Sequence, residues 1–89
     1  MQLGQLFMTC GIAAAIDENP VFELEVRAAF LRYLAHDWGD LCQEDKDLNK
    51  EALRVGERIL ASYTTSKGKV YIITEWDRSV TTILFANEY

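Results

Sequence analysis

The sequence has few of the residues from which metal sites and disulfide frameworks are built. Its 89 residues include only two cysteines, one histidine and one proline. Cys10 and Cys42 are far apart and have no C-x-x-C partner, and His36 is not at zinc-ligand spacing from either thiol. We therefore expect two reduced, partly buried thiols and no zinc site.

The sequence also lacks a long apolar run that follows a basic start. Its longest uncharged stretch, residues 1–16, is interrupted by Gln2, Gln5 and Thr9 and has no basic residue near its beginning. This stretch is too short and too polar to span a bilayer. A signal peptide would need a positively charged first region. We expect a cytoplasmic protein that does not associate with a membrane.

Several chemical motifs are missing as well. The chain has no glycine-rich phosphate-binding loop, no G-x-S-x-G, and no serine or cysteine beside an evident base. The acidic segment Glu44–Asp47 lacks the glycine and the alternating acids of a calcium-binding EF-hand loop. The sequence therefore predicts no cofactor, no bound metal and no catalytic residue of a known type.

What is present is typical of one globular domain. Apolar residues make up 49% of the chain and charged residues 26%, proportions that are ordinary for a folded protein. A chain of this length has room for one hydrophobic core. We predict a single α+β domain over residues 1–89.

The negative charge is concentrated in one segment. The formal net charge is −5, and residues 37–51 hold six acids against two lysines, a net of −4. Direct nucleic-acid binding needs a basic surface, so the charge argues against it. The segment suits a basic protein partner or a divalent cation. Its alternative role is a solvated helix face that keeps a small protein soluble.

The N-terminal half reads as a strand followed by helices. Residues 3–9 alternate imperfectly, Thr9 is a suitable helix cap, and Asn19 precedes a helix from Pro20 to about Ala35. That helix has two apolar flanks. One flank comprises Val21, Leu24, Ala28, Leu31 and Ala35, and the other Phe22, Val26, Ala29 and Tyr33. A helix with two apolar flanks lies between two layers or is shared with a second subunit, and we predict a homodimer.

The C-terminal half changes from helical to alternating periodicity. Asp40 is a candidate cap for a helix that ends at Gly56 and presents one apolar stripe, formed by Leu41, Leu48, Ala52 and Val55. From Glu57 onward, apolar residues alternate through three strands separated by polar turns. We predict N-terminal helices packed on one face of a three- to four-stranded antiparallel sheet that ends in a C-terminal β-meander.

Two clusters of polar residues are candidate sites. The loop from His36 to Asp40 places a histidine beside two carboxylates and Trp38, and its structural alternative is the end of a helix closed by a core tryptophan. In the turn from Glu75 to Ser79, two carboxylates lie beside a tryptophan and an arginine, residue types enriched in binding hot spots. Its alternative is a set of turn hydrogen bonds. The candidate protein-binding residues are Asp37, Asp40, Glu44, Asp45, Asp47, Glu75, Trp76, Asp77 and Arg78.

About residues 36–89 carry a family resemblance. The matching residues are Asp37-Trp-Gly-Asp-Leu41, Glu44-Asp45, Asn49, Ala52-Leu53, Gly56, Arg58, Leu60-Ala-Ser-Tyr63, Ile72-Ile-Thr-Glu-Trp-Asp-Arg-Ser-Val-Thr-Thr-Ile-Leu84 and Glu88-Tyr89. They resemble a family of small bacterial, plasmid and phage proteins often labelled "plasmid-related" or "type I restriction endonuclease subunit M". A methyltransferase subunit needs a glycine-rich cofactor loop after a strand, which this chain lacks. The resemblance implies a mobile-element context and, by analogy, an inhibitor of a host defence system.

Two functions from different classes follow. The first is a non-enzymatic accessory protein that binds the basic surface of a partner, as an anti-restriction or anti-CRISPR factor would. The second is a small metal-dependent phosphoester hydrolase or nuclease that uses His36, Asp37, Glu75 and Asp77. The second function requires the His36 loop and the Glu75 turn to meet in space.

Overall fold

The first half of the chain forms one strand and two helices. The computed structural model describes residues 1–89, and its first elements are β1 (Gln5–Met8), α1 (Cys10–Glu18) and α2 (Pro20–Leu34). The Thr9 side chain accepts a hydrogen bond from the Ile12 backbone N–H at 3.2 Å and so caps α1. The Asn19 side chain accepts from two N–H groups of the first turn of α2. Both predicted caps are confirmed.

The second half forms one helix and the predicted meander. These elements are α3 (Gln43–Val55), β2 (Ile59–Thr65), β3 (Gly68–Thr74), β4 (Val80–Phe85) and a final 3₁₀ turn (Ala86–Glu88). Gly56 ends α3 with a φ of 79°, a left-handed conformation that favours glycine. No helix has the length and apolar content needed to cross a membrane.

The prediction that Asp40 caps α3 is wrong. The cap position is Cys42, which makes no side-chain cap hydrogen bond. Asp40 lies against β2 instead: its backbone N–H donates to the Ser62 carbonyl at 2.7 Å, and its carboxylate accepts from the Thr64 hydroxyl. Because the backbone before the helix pairs with the sheet, Asp40 is held at the edge of the sheet and the helix starts later.

The α+β class is confirmed, but the sheet is mixed and not purely antiparallel. The strand order is β1-β4-β3-β2. β2 pairs antiparallel with β3, and β3 with β4, whereas β1 pairs parallel with β4. Alternation of apolar residues looks the same in a parallel and an antiparallel strand, so the pattern of residues 3–9 contained no information on the direction of β1.

The core lies between α1, α2 and one face of the sheet. Ile72 and Ile83, which are paired across β3 and β4, are buried there with Phe22 and Tyr33 of α2. Phe22 stacks on Phe85 with ring centroids 5.6 Å apart. Only one apolar flank of α2 therefore reaches the core, the flank that contains Phe22, Val26, Ala29 and Tyr33.

A chain of buried hydroxyl groups crosses this core. The Tyr33 hydroxyl lies 2.6 Å from the Thr74 Oγ1, which lies 2.8 Å from the Thr81 Oγ1. The Thr81 hydroxyl in turn donates to the Leu3 carbonyl at 2.8 Å. Burial raises the pKa of Tyr33 to about 12. This row of hydroxyl groups connects α2, two strands and the N-terminal segment. Each hydroxyl has a hydrogen-bond partner, as buried polar groups require.

One edge of the sheet is covered by other parts of the chain and the other edge is not. On the β2 edge, the Asn49 side chain of α3 donates to the Leu60 carbonyl at 2.7 Å and accepts from the Leu60 N–H at 3.3 Å. Gly39 lies directly on Ser62, and a Cβ at this position would be 1.9 Å from the Ser62 carbonyl oxygen. On the β1 edge no other strand is paired, and Leu6 and Met8 are about half exposed. The fold thus covers one edge and leaves the other open.

Replacing Cys42 with serine is expected to stabilise the protein by about 0.5–1 kcal/mol, because serine is a good N-cap and cysteine makes no cap bond here. Both cysteines are exposed and not partly buried as the sequence predicted, so the change disturbs no packing. Urea unfolding measures the gain. Cys10→Ser is the matched control, since Thr9 already caps α1. Equal gains in both variants would refute the capping explanation.

Candidate functional site

The turn between β3 and β4 presents an exposed tryptophan on a well-ordered backbone. Trp76 is 67% exposed. Beside it, the Asp77 carboxylate accepts hydrogen bonds from the Ser79 N–H at 3.1 Å and from the Ser79 hydroxyl at 2.6 Å. These bonds hold the pKa of Asp77 below its ordinary value. Asp77 therefore acts as a turn residue, as the structural alternative from the sequence proposed.

Arg78 fixes this turn to the end of α3. Its guanidinium donates to the carbonyls of Glu57 at 2.6 Å, Glu75 at 3.1 Å and Ala52 at 3.1 Å. The backbone of Arg78 has a φ of 60°, a left-handed conformation that is uncommon for residues other than glycine. The donors of Arg78 are therefore directed at the protein's own backbone.

Glu75 has a different arginine partner, since its carboxylate lies 3.7 Å from the Nε of Arg58. Arg58 also lies over the ring of Tyr89, with 5.3 Å between the guanidinium carbon and the ring centroid. Tyr89 in turn packs edge-on against Tyr71 of β3. Arg58 thus connects the turn to the C-terminus on the sheet face that α1 and α2 do not cover.

Two of the candidate acids lie in the loop before α3 and have partners inside the protein. The Asp37 carboxylate receives two hydrogen bonds from Arg32, at 2.7 and 3.2 Å, and a third from the Gly39 N–H. The Arg32 guanidinium holds the pKa of Asp37 below its usual range. Asp40 accepts from Thr64. Asp37 and Asp40 therefore shape the loop in addition to adding negative charge.

Trp38 closes the junction beneath this loop. It is 5% exposed and packs edge-on against Tyr33, with ring centroids 5.5 Å apart. The His36 ring stacks on Trp38, with ring centroids 5.3 Å apart. The predicted role of Trp38 as a core residue is confirmed, and the two tryptophans of the chain have opposite environments.

The remaining candidate acids lie at the start of α3. Glu44 and Asp45 occupy its first turn, where the helix dipole favours carboxylates, and both side chains are exposed. Asp47 accepts a hydrogen bond from Gln43 one turn earlier. Glu44 and Asp45 make no salt bridge within the chain, so their charge faces solvent.

A groove follows α3 from these acids toward the Arg78 end of the helix. It has a volume of about 410 Å³, and its lining includes Asp45, Leu48, Glu57, Arg58 and Leu60. Asp45 and Ala52 are seven residues apart, or about 10 Å along the helix axis. We call this feature the α3 groove. Asp45 is at one end of it, and the Ala52 and Glu57 carbonyls that bind Arg78 are at the other.

The sequence did not identify Leu48 and Arg58 as site residues. Leu48 was placed on the apolar stripe of α3, yet its side chain is 62% exposed, while Asn49 is buried against β2. A buried asparagine beside an exposed leucine cannot be recognised from helical periodicity, which assigns the apolar residue to the core. Arg58 follows a helix end and was noted only as one residue of the family resemblance, which assigns it no role.

The four residues of the hydrolase hypothesis are not brought together. No three side chains of histidine, cysteine, aspartate or glutamate are grouped so that they could hold a metal ion. The loop that contains Asp37 is bound to Ser62 and Tyr63, whereas Glu75 follows Thr74, the partner of Ile59. Three strand residues separate these points on β2, or about 10 Å. Two-metal centres have spacings of about 4 Å, so the geometry that this hypothesis requires is absent.

Comparison of this chain with protein-family models, with curated proteins and with solved structures gave no match. The chemistry of the surface must therefore be interpreted from the side chains themselves. They offer an exposed indole on a hydrogen-bonded turn, a groove lined by both apolar and charged side chains, and two carboxylates without a salt bridge. That combination suits recognition of another protein more than it suits bond-breaking chemistry.

Proposed function

We propose that this protein is a small acidic accessory protein that acts by non-covalent protein binding. The observation that supports the proposal best is Trp76, a large aromatic side chain two-thirds exposed on a turn that Asp77 and Arg78 hold in place. Tryptophan is among the residues most enriched in binding hot spots. A turn that is ordered before binding loses little conformational entropy when a partner covers it.

The charge supports a partner with a basic surface. Asp45 lines one end of the α3 groove and Glu44 precedes it on the helix, and neither carboxylate has a salt bridge within the chain. Residues 37–51 have a net charge of −4. Complementary charge raises association rates and excludes wrong partners. The resemblance of residues 36–89 to plasmid and phage proteins leads us to propose a partner in a host defence system, inhibited in the manner of an anti-restriction or anti-CRISPR protein.

Trp76→Ala is expected to reduce the amount of partner captured from host-cell extract. The affinity for the captured protein should fall by at least about 30-fold, the loss that truncation of a hot-spot tryptophan produces. The tagged wild-type chain and the variant are compared in the same pull-down, and the captured protein is then titrated with each. Phe7→Ala, which truncates a half-exposed aromatic residue on the edge strand β1, outside the turn, is the matched control. Equal capture by folded Trp76→Ala and by wild type would exclude this turn as the binding surface.

A second arm of the same experiment tests the charge. Changing Glu44 to Gln and Asp45 to Asn should slow association at low salt and have little effect at high salt, because exposed charges are screened beyond about 10 Å at 0.1 M salt. Asp17→Asn/Glu18→Gln, which also neutralises two exposed acids but at the end of α1, controls for net charge alone. Association rates independent of both salt and these substitutions would contradict a basic partner surface.

A further inference from the structure

The outer face of α2 is apolar and has no partner in the chain. Val21, Leu24 and Leu31 are 60%, 66% and 65% exposed. With Ala28 and Ala35 they form a stripe with alternating spacings of three and four residues. That spacing is the a/d pattern of a helix that pairs with another helix. The opposite flank of α2 is already buried against the sheet.

We propose that this stripe is covered by α2 of a second copy of the protein, with the two helices antiparallel. A two-fold axis brings the same stripe from both copies together, as a closed dimer requires. In the register we propose, Leu24 lies opposite Ala35 of the second copy, and Ala28 lies opposite Leu31 of the second copy. Each contact pairs a large residue with a small one, so the helices can approach closely.

The charges beside the stripe select this arrangement. With Leu24 and Leu31 at d positions, Glu25 and Arg32 occupy e positions and Arg27 occupies a g position. In an antiparallel pair of helices, the e positions of one helix face the e positions of the other. The proposed register therefore places Glu25 of each copy beside Arg32 of the other copy. The antiparallel register shifted by one heptad places Glu25 beside Glu25 and Arg27 beside Arg27. A parallel pair places Arg27 beside Arg32. Of these three arrangements, only the proposed register pairs no two like charges among Glu25, Arg27 and Arg32.

The side chains that flank the stripe are already ordered. Glu25 accepts hydrogen bonds from the Ser66 N–H and hydroxyl at 2.9 and 2.6 Å, which places its carboxylate beside the helix. Arg32 binds Asp37 through Nε and Nη2, and its Nη1 group is left to bind Glu25 of the second copy. Both side chains are therefore positioned before the two copies meet, which lowers the entropy lost on association.

The open edge of β1 is the competing surface. Beside it, a groove of about 300 Å³ is lined by Leu6, Met8, Ile16 and Phe30, among others. Two copies that paired through this edge would form one continuous sheet and leave the α2 stripe exposed. The experiment must therefore distinguish the two surfaces.

Analytical ultracentrifugation of the full chain, from about 1 µM to about 1 mM, tests the proposal. We expect the wild-type protein to form a dimer and Leu24→Glu/Leu31→Glu to remain a folded monomer, as both leucines are exposed. Leu6→Lys, on β1, should dimerise as wild type does. A wild-type monomer at every concentration, a dimer that survives the double substitution, or a dimer lost in Leu6→Lys would each overturn the proposal.

Disulfide trapping tests the orientation. In a Cys10→Ser/Cys42→Ser background, which removes both exposed thiols, one protein carries Leu24→Cys and another carries Ala35→Cys. Oxidation of the mixture should link the two proteins, and neither protein should link to itself, because each residue is about 16 Å along the axis from its own copy in this register. A Leu24→Cys protein that links to itself would overturn the antiparallel arrangement. Both experiments use only this protein, so they are independent of the proposed function.

Discussion

Trp38→Ala is expected to lower the free energy of unfolding by about 3–5 kcal/mol, whereas Trp76→Ala is expected to change it by less than about 0.5 kcal/mol. The two indoles differ in burial, at 5% and 67% exposed. Removal of Trp38 opens a cavity against Tyr33 and removes the surface on which His36 stacks. Removal of Trp76 takes away a side chain that is already mostly in contact with solvent, so little packing is lost.

Urea denaturation followed by circular dichroism measures both changes on the same scale. A loss of 3–5 kcal/mol is a large share of the about 5–15 kcal/mol by which most domains are stable. Reduced binding by Trp38→Ala would therefore reflect unfolding, while reduced binding by Trp76→Ala would reflect the surface. Comparable destabilisation by the two variants would mean that Trp76 is buried in solution, which would also remove the main support for the proposed function.

Arg78→Ala is expected to cost about 2–3 kcal/mol of stability, because it removes hydrogen bonds from a charged donor to the carbonyls of Glu57, Glu75 and Ala52. The Ala52 carbonyl lies in the last turn of α3 and the Glu57 carbonyl just beyond the helix. Loss of the guanidinium therefore separates the Trp76 turn from the helix. Thermal or urea unfolding provides the measurement.

Arg58→Ala is the matched control for Arg78→Ala. Arg58 is near the same turn, but its contacts are a partly exposed carboxylate at 3.7 Å and the ring of Tyr89. A surface pair of this kind contributes about 0–1 kcal/mol. Arg78→Lys should recover only part of the loss, since one ammonium cannot reach three carbonyls in a fork-like geometry. If Arg78→Ala were no more destabilising than Arg58→Ala, the guanidinium would not hold the turn in solution.

The Arg78 prediction also changes how this residue contributes to the candidate site. The sequence presented Arg78 beside Trp76 as a pair of hot-spot residues. In the structure the two differ, since Trp76 faces solvent and Arg78 binds the backbone. Because Arg78 orients the turn, its substitution would weaken partner binding even if the partner never touches it. Binding measurements on Arg78 variants therefore need a stability measurement beside them.

The sequence predicted where the candidate acids lie better than it predicted which of them have hydrogen-bond partners. Glu44 and Asp45 have the exposed, helical placement expected of them. Asp37 and Asp40 were grouped with them, yet each has a partner from another element, Arg32 for Asp37 and Thr64 for Asp40. Nothing in residues 37–51 indicates that the side chains of Asp37 and Asp40 will be paired with Arg32 and Thr64, because both partners lie outside that segment.

The amino-acid sequence by itself determined the type and order of the elements. Thr9, Asn19 and Gly56 define helix ends through hydrogen bonds and backbone conformations within a few residues, and the two-residue alternation after Glu57 defines three strands. These are local effects, so they can be read without a fold. They were sufficient for the α+β class and the meander.

Only the tertiary structure decided the direction of β1, which flank of α2 is buried, and which tryptophan faces solvent. Each depends on contacts between residues that are distant in the chain, such as β1 with β4 and Tyr33 with Thr74. α2 has two apolar flanks of similar character, and the sheet can cover only one of them. The surface left uncovered is a consequence of packing, and it is the surface on which our proposal of a dimer rests.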